Sequence, residues 1–209
     1  MSTFLTPLDH ILTNRGKVRL LRALIPLSRP VSGREAAKLA RLSQTPALRA
    51  LNDLVALGVL HRMEMPSQHL YEVNRTHQLV RDGLEPLFRA ERERISRVLD
   101  ALRTELMQNA SRIVSAVVFG SASRGEDQPG SDFDVLVITK HSADVEPLHG
   151  HLAESIPRIE EEFGLELSPV VLPLTKFREL HRHGEPLASD VLRDARLITG
   201  ERPEALVHG

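Results

Sequence analysis

A chain of 209 residues, 41% hydrophobic and 26% charged, is long enough for one large or two small folded domains. It contains no cysteine, which excludes disulfides and cysteine-held zinc. No stretch approaches the length of a membrane-spanning helix, and the first residues lack the basic-then-apolar build of a signal peptide, so a cytoplasmic protein without a membrane partner is expected. Aromatic residues make up only 3%, which weighs against reading single strands by base stacking. The net charge of -1 conceals an asymmetry. Residues 1–76 hold 11 Lys+Arg against 5 Asp+Glu, a balance of +6, and residues 77–209 hold 16 against 23, a balance of -7. Basic and acidic parts of that kind imply modules with different partners.

Apolar residues recur at helical spacing from about residue 8 to 27, with Ile11, Leu12, Val18, Leu21, Leu24 and Ile25 as the inner stripe. Ser28-Arg29-Pro30 stops it. Ser32-Gly33-Arg34-Glu35 then has the form of a capping box, Ser32 accepting the Glu35 amide while Glu35 reaches back. A short helix is expected to about Ala40. Thr45-Pro46 reads as a further helix start, Thr45 as cap and Pro46 at the first helical position, with Leu48, Leu51, Leu54 and Val55 facing inward and Gly58 as the stop. Two short strand-like runs, 59–63 and 70–73, flank Pro66-Ser67-Gln68 and predict a β-hairpin.

Helix, short helix, turn, helix and hairpin is the order of a winged helix-turn-helix. The stretch from Ala50 to Leu60 resembles the recognition-helix-to-wing junction of bacterial winged-helix regulators. That resemblance implies double-stranded DNA as a partner, with the start of the third helix in the major groove. Ser43, Gln44, Thr45 and Arg49 stand there and Arg62 lies in the wing; these are the expected DNA-binding residues. Arg34, Lys38 and Arg41 are candidates for phosphate, and a plain solvated face is the alternative.

From residue 78 to 109 the pattern is helical and strongly charged, with Glu85-Pro86 marking a new start or a kink. This stretch either links two modules or seams a homodimer, although Glu91 interrupts its apolar stripe.

The chemistry-bearing stretch follows. Residues 115–119 are an apolar strand leading into Gly120-Ser121-Ala122-Ser123-Arg124-Gly125, and Ser131-Asp132-Phe133-Asp134 leads into a second apolar strand at 135–138. Glycine lets a backbone approach a triphosphate closely, and a serine at a helix start offers donors to an anion. Two aspartates two residues apart on a strand share a face and suit a magnesium ion. Glu166 and Ser168 share one face of a later strand by the same period of two. His149/His151 and His181/His183 are metal-like pairs, for which a surface role is the simpler reading.

Gly-Ser, Arg-Gly and Ser-Asp-x-Asp before an apolar strand together resemble the DNA-polymerase-β-like superfamily, in particular its minimal, or MNT-type, nucleotidyltransferases, over about residues 111–200. The resemblance implies nucleotide binding by Gly120, Ser121 and Arg124, metal binding by Asp132 and Asp134, and catalysis by these aspartates with a third carboxylate on a later strand. Ser168 stands where that acid is expected. Either Glu166 substitutes for it or the third carboxylate is missing.

The expected fold is α+β: a winged helix-turn-helix over 1–76, a linker helix over 77–110, a transferase domain with a mixed sheet flanked by helices over 111–200, and a tail. The implied reaction moves a nucleotidyl group, AMP from ATP or another NTP with Mg²⁺, to a hydroxyl, and a partner toxin protein is one acceptor. The chain would then be antitoxin-like or a transcription regulator. The alternative is a non-catalytic regulator whose degenerate transferase domain senses nucleotide. A transferase modifying small-molecule antibiotics is a third option, which the N-terminal module argues against.

Overall fold

The structure, a computed structural model, describes residues 5–120 and 133–207. It divides into two compact units, residues 1–93 and 94–209. Both combine helices with a small sheet, so the chain is mixed α+β. Among the described residues no helix is long and apolar enough to cross a membrane.

In the first unit the expected opening helix is two helices, α1 (Pro7–Ile11) and α2 (Arg15–Leu24). The break has a local cause. The Asn14 side chain accepts the Lys17 amide at 3.0 Å and starts a new helix where apolar spacing alone runs on. Strand β1 (Val31–Ser32) leads into α3 (Gly33–Leu39), which Ser32 caps by accepting the Glu35 amide at 3.2 Å. The Glu35 carboxylate does not close the expected box; it pairs with Arg29 at 2.5 Å. Helix α4 (Gln44–Ala56) starts one residue before Thr45, with Ser43 at the cap, so Thr45 and Pro46 lie inside its first turn. Gly58 ends this helix in the left-handed conformation, φ +74.

Strands β2 (Leu60–Met65) and β3 (Gln68–Val73) form the expected hairpin, and β1 adds to the far side of β3 in an antiparallel sheet of order β1-β3-β2. One core joins these pieces: Leu20, Leu21 and Leu24 of α2, Leu51 and Leu54 of α4, and Leu60, Tyr71 and Val73 of the hairpin. Each fully buried leucine there stabilises by about 1.5–3 kcal/mol. Lys17, with its side chain only 8% exposed, lies at the helix junction. Its ammonium donates to the His10 carbonyl at 3.0 Å and pairs with Asp53 of α4 at 3.1 Å. A π-helical turn (Val80–Leu84) precedes α5 (Glu85–Met107), so the new start read at Glu85-Pro86 is present.

The second unit is a four-stranded mixed sheet of order β6-β5-β4-β7. Strands β4 (Ile113–Phe119) and β5 (Phe133–Thr139) are antiparallel. Helix α6 (Val145–Phe163) crosses over to β6 (Leu167–Pro173), which is parallel to β5. Helices α7 (Leu174–Arg182) and α8 (Pro186–Asp194) return the chain to β7 (Arg196–Gly200), antiparallel to β4, and α9 (Pro203–Leu206) follows.

Helices cover both faces of this sheet, which is why β4 and β5 read as continuous apolar runs. On one face Ala116, Val118, Phe133, Val135 and Val137 meet Val98, Leu102 and Leu106 of α5 and Leu148, Leu152 and Ile156 of α6. On the other, Val117, Phe119, Leu136 and Ile138 meet Phe177 of α7, Ala188 and Val191 of α8 and Leu206 of α9.

Both sheet edges are modified. The register against β4 skips Ile198, a bulge whose carbonyl accepts from the Arg103 guanidinium at 2.8 Å. On β6 the Leu167 amide turns away from the sheet to the Glu160 carboxylate, at 2.8 Å. Pro169 and Pro173 share that outward orientation, so they blunt the edge without removing a ladder bond.

Candidate functional site

The second unit gathers its candidate residues at one end of the sheet, where β4 finishes and β5 and β6 begin. Phe119, the last residue of β4, stands opposite Asp134 of β5. Gly120 follows with φ +76, a conformation that favours glycine. A Cβ built there would collide with the Asp134 carboxylate. The loop glycine and the strand carboxylate, 14 positions apart in sequence, are therefore in direct apposition. Asp134 has the strand parity of Leu136, so it belongs to the face covered by α7 and α8, while Phe133 turns into the opposite core.

Parallel pairing fixes the next neighbour. Asp134 is in register with Ser168 on β6, and Phe133 with Leu167. Side chains in register on adjacent strands share a face, with backbones about 4.8 Å apart. The position beside Asp134 thus holds a hydroxyl. Glu166 is exposed and lies just before β6, where its backbone carbonyl accepts the Phe133 amide at 2.8 Å. The remaining residues read as nucleotide- and metal-binding, Ser121, Arg124 and Asp132, lie outside the described residues.

Asp134 is a hard oxygen donor, the type that holds magnesium, and its place against a backbone glycine fits a metal–phosphate ligand. Among the described residues no group of three or more His, Cys, Asp or Glu side chains is gathered to hold a metal, and that includes both histidine pairs. Asp194, a residue that periodicity did not single out, closes α8 with its side chain only 17% exposed and paired to Arg193 at 2.8 Å.

The first unit presents a different surface. Ser43, Gln44 and Thr45 are exposed at the start of α4, and Arg49 is exposed one turn further along. Arg62 is exposed on β2 and pairs with Glu64 at 3.0 Å. A polar cleft of about 400 Å³ lies between the start of α4 and the hairpin tip, lined by Arg34, Gln44, Ser67, Gln68 and His69 among others. Arg34, Lys38, Arg41 and Arg49 make no ion pair among the described residues, so this surface holds uncompensated cations.

Residues 99–198 match the family model of the nucleotidyltransferase domain. The span contains Gly120, Asp134, Glu166, Ser168 and Asp194. The match supports a transferase and agrees with the mixed sheet and flanking helices of this unit. Among solved structures, a chain from the crystal structure of the toxin-antitoxin with AMP-PNP is similar, at 17% identity and a TM-score of 0.38, over 53% of this chain and 81% of that one. No curated protein matches the chain.

Proposed function

We propose that the second unit transfers a nucleotidyl group from a magnesium-bound nucleoside triphosphate to a hydroxyl acceptor, and that the first unit is a winged helix-turn-helix that binds double-stranded DNA. The observation that carries the transferase half is the apposition of Gly120 and Asp134 inside a span matching the nucleotidyltransferase domain family. In this reading the Gly120 backbone lies against the phosphates, where a side chain has no room. Asp132 and Asp134 hold the metal, and Ser121 and Arg124 contact the nucleotide. The metal supplies neutralisation of phosphate charge. The acceptor oxygen bonds to the α-phosphorus as the bond from that phosphorus to the bridging oxygen of the β-phosphate breaks, pyrophosphate leaves, the hydroxyl proton passes to solvent, and Asp134 keeps the triphosphate oriented for in-line attack. ATP is the favoured donor and a hydroxyl on a partner protein, such as a toxin, the favoured acceptor.

The DNA half is supported by the helix and hairpin order of the first unit, its sheet order β1-β3-β2, and the exposed Ser43, Gln44, Thr45 and Arg49 at the start of α4. In this reading α4 enters the major groove and Arg62 approaches the backbone from the hairpin. Together the two halves describe a cytoplasmic regulator or antitoxin-like protein.

The register of Asp134 with Ser168 favours a second reading, a nucleotide sensor. A serine is a poor proton acceptor where a carboxylate would serve as base. One experiment addresses both readings. The full chain is incubated with magnesium and ATP labelled at the α-phosphate, with cell-extract proteins as acceptors, and nucleotide binding is measured in parallel. Label transferred to a protein, and lost with Asp134→Asn, is the expected result. Binding without transfer selects the sensor, and neither binding nor transfer overturns both.

A further inference from the structure

We infer that Arg41 is an anchor for the phosphate backbone of DNA, held in a strained helix end where the fold alone would take glycine. The inference rests on the proposed reading of the first unit as a DNA-binding module, and deepens it.

The end of α3 is a closed, hydrogen-bonded cap. The Arg41 amide donates to the Lys38 carbonyl at 3.1 Å, and the Leu42 amide donates to the Ala37 carbonyl at 2.9 Å. That pair of bonds turns the chain through one left-handed residue, a place glycine usually fills. Here the residue is Arg41, with φ +51. Other helix ends in the chain keep to glycine: Gly58 follows α4, Gly164 closes α6 and Gly184 follows α7, all with positive φ. Among the described residues Arg41 is the one non-glycine with positive φ. A Cβ in that conformation crowds the following carbonyl oxygen, so arginine is less stable there than glycine.

No contact within the unit offsets this strain. Leu42 packs against the core, while Arg41 is exposed and its guanidinium makes no ion pair or hydrogen bond among the described residues. The favourable effect of a cation at a helix C-terminus is already supplied by Lys38, in the last turn of α3.

The surroundings say which ligand the guanidinium suits. Arg34, Lys38 and Arg41 follow one another at spacings of four and three, and all are exposed, so they line one side of α3 up to its end. Between Glu35 and Asp53 the chain holds Lys38, Arg41 and Arg49 and no acidic residue. Two residues after Arg41, Ser43 caps α4, whose first turn exposes Gln44 and Thr45. A duplex seated at the start of α4 therefore lies beside Arg41, and each of its strands presents a phosphate about every 3.4 Å. A guanidinium takes phosphate through paired N–H donors. Such a contact adds affinity and fixes register without reading sequence.

The test uses the full chain and a labelled random-sequence duplex of about 30 base pairs, because the contact is to the backbone. Affinity is measured by fluorescence anisotropy over a range of salt, and amide protection by hydrogen exchange, for wild type, Arg41→Gly and Arg41→Lys. Arg41→Gly is expected to be the more stable protein, with protection in α3 and α4 raised about three- to tenfold. It is also expected to be the weaker binder, with affinity down about three- to tenfold and the slope of log affinity against log salt shallower by about one. Arg41→Lys keeps the charge and is expected to keep the wild-type slope. A glycine variant with the affinity and slope of wild type overturns the inference and leaves the DNA reading intact. So does a glycine variant no better protected than wild type, since the arginine then serves the fold. A lysine variant with a slope as shallow as that of the glycine variant overturns it too, because the charge is then not what binds. No binding by wild type overturns both the inference and the DNA reading.

Discussion

The two units solve the placement of functional groups in opposite ways. In the first, β2 and β3 expose most of the hairpin tip, and the polar residues of interest stand on the outer side of α4. In the second, β4 and β5 are buried on both faces, and the groups of interest occur only where the strands end. An exposed helical face tolerates substitution, because its residues contact little of their own protein. A strand end fixed by register does not, since Asp134 is held between Phe119 on one side and Ser168 on the other. The difference suits a broad, charge-led contact in one unit and a small site with fixed geometry in the other.

The largest effects should show whether the units are separately stable. Leu51 and Leu136 are each fully buried in a different core. Leu51→Ala and Leu136→Ala should each cost about 2–5 kcal/mol. In hydrogen exchange followed by mass spectrometry, each loss should be confined to the substituted unit. Protection lost in both units from either substitution would break the comparison.

Next is Gly120→Ala. The new methyl group meets the Asp134 carboxylate and forces alanine into φ +76, a strain of about 1–2 kcal/mol before any displacement of the carboxylate. Nucleotide affinity by calorimetry should fall by about tenfold or more, with DNA affinity unchanged. Arg49→Ala is the mirror experiment. It should weaken DNA binding by about 1 kcal/mol in a gel-shift titration at fixed salt, flatten the salt dependence, and leave nucleotide binding alone.

The smallest effect is electrostatic. Arg22 holds Glu91 through a bidentate pair at 2.7 Å, which keeps the carboxylate below its ordinary pKa of 4.5. A depressed folded value contributes stability above the unfolded pKa, lost as pH falls through the folded one. Both side chains are more than 40% exposed, so the contribution is about 0.5 kcal/mol. Glu91→Gln should lower the stability of the first unit by about 0.5 kcal/mol at pH 7 and flatten its dependence on pH below about pH 4.5, where wild type loses the same contribution.

Much of this architecture is written in local pattern. The apolar runs before Gly120 and after Asp134 are strands, residues 60–73 form the hairpin, and Gly58 stops α4. Boundaries set by one side chain are harder to read. Asn14 divides the first helix by capping Lys17, and Ser43 starts α4 ahead of the more conspicuous Thr45-Pro46. The partner of Asp134 on β6 follows from the resemblance, which puts Ser168 where the third acid is expected, and not from local pattern. Period two places Glu166 and Ser168 on one face, but only the pairing of β5 with β6 says which of them meets Asp134.

The most direct test of the account is a calorimetric titration of the full chain with a non-hydrolysable ATP analogue and magnesium, comparing wild type with Asp134→Asn. The account predicts saturable binding at one site per chain by wild type, and loss of at least about tenfold in affinity when the carboxylate becomes an amide. Equal affinity in the two proteins would contradict it.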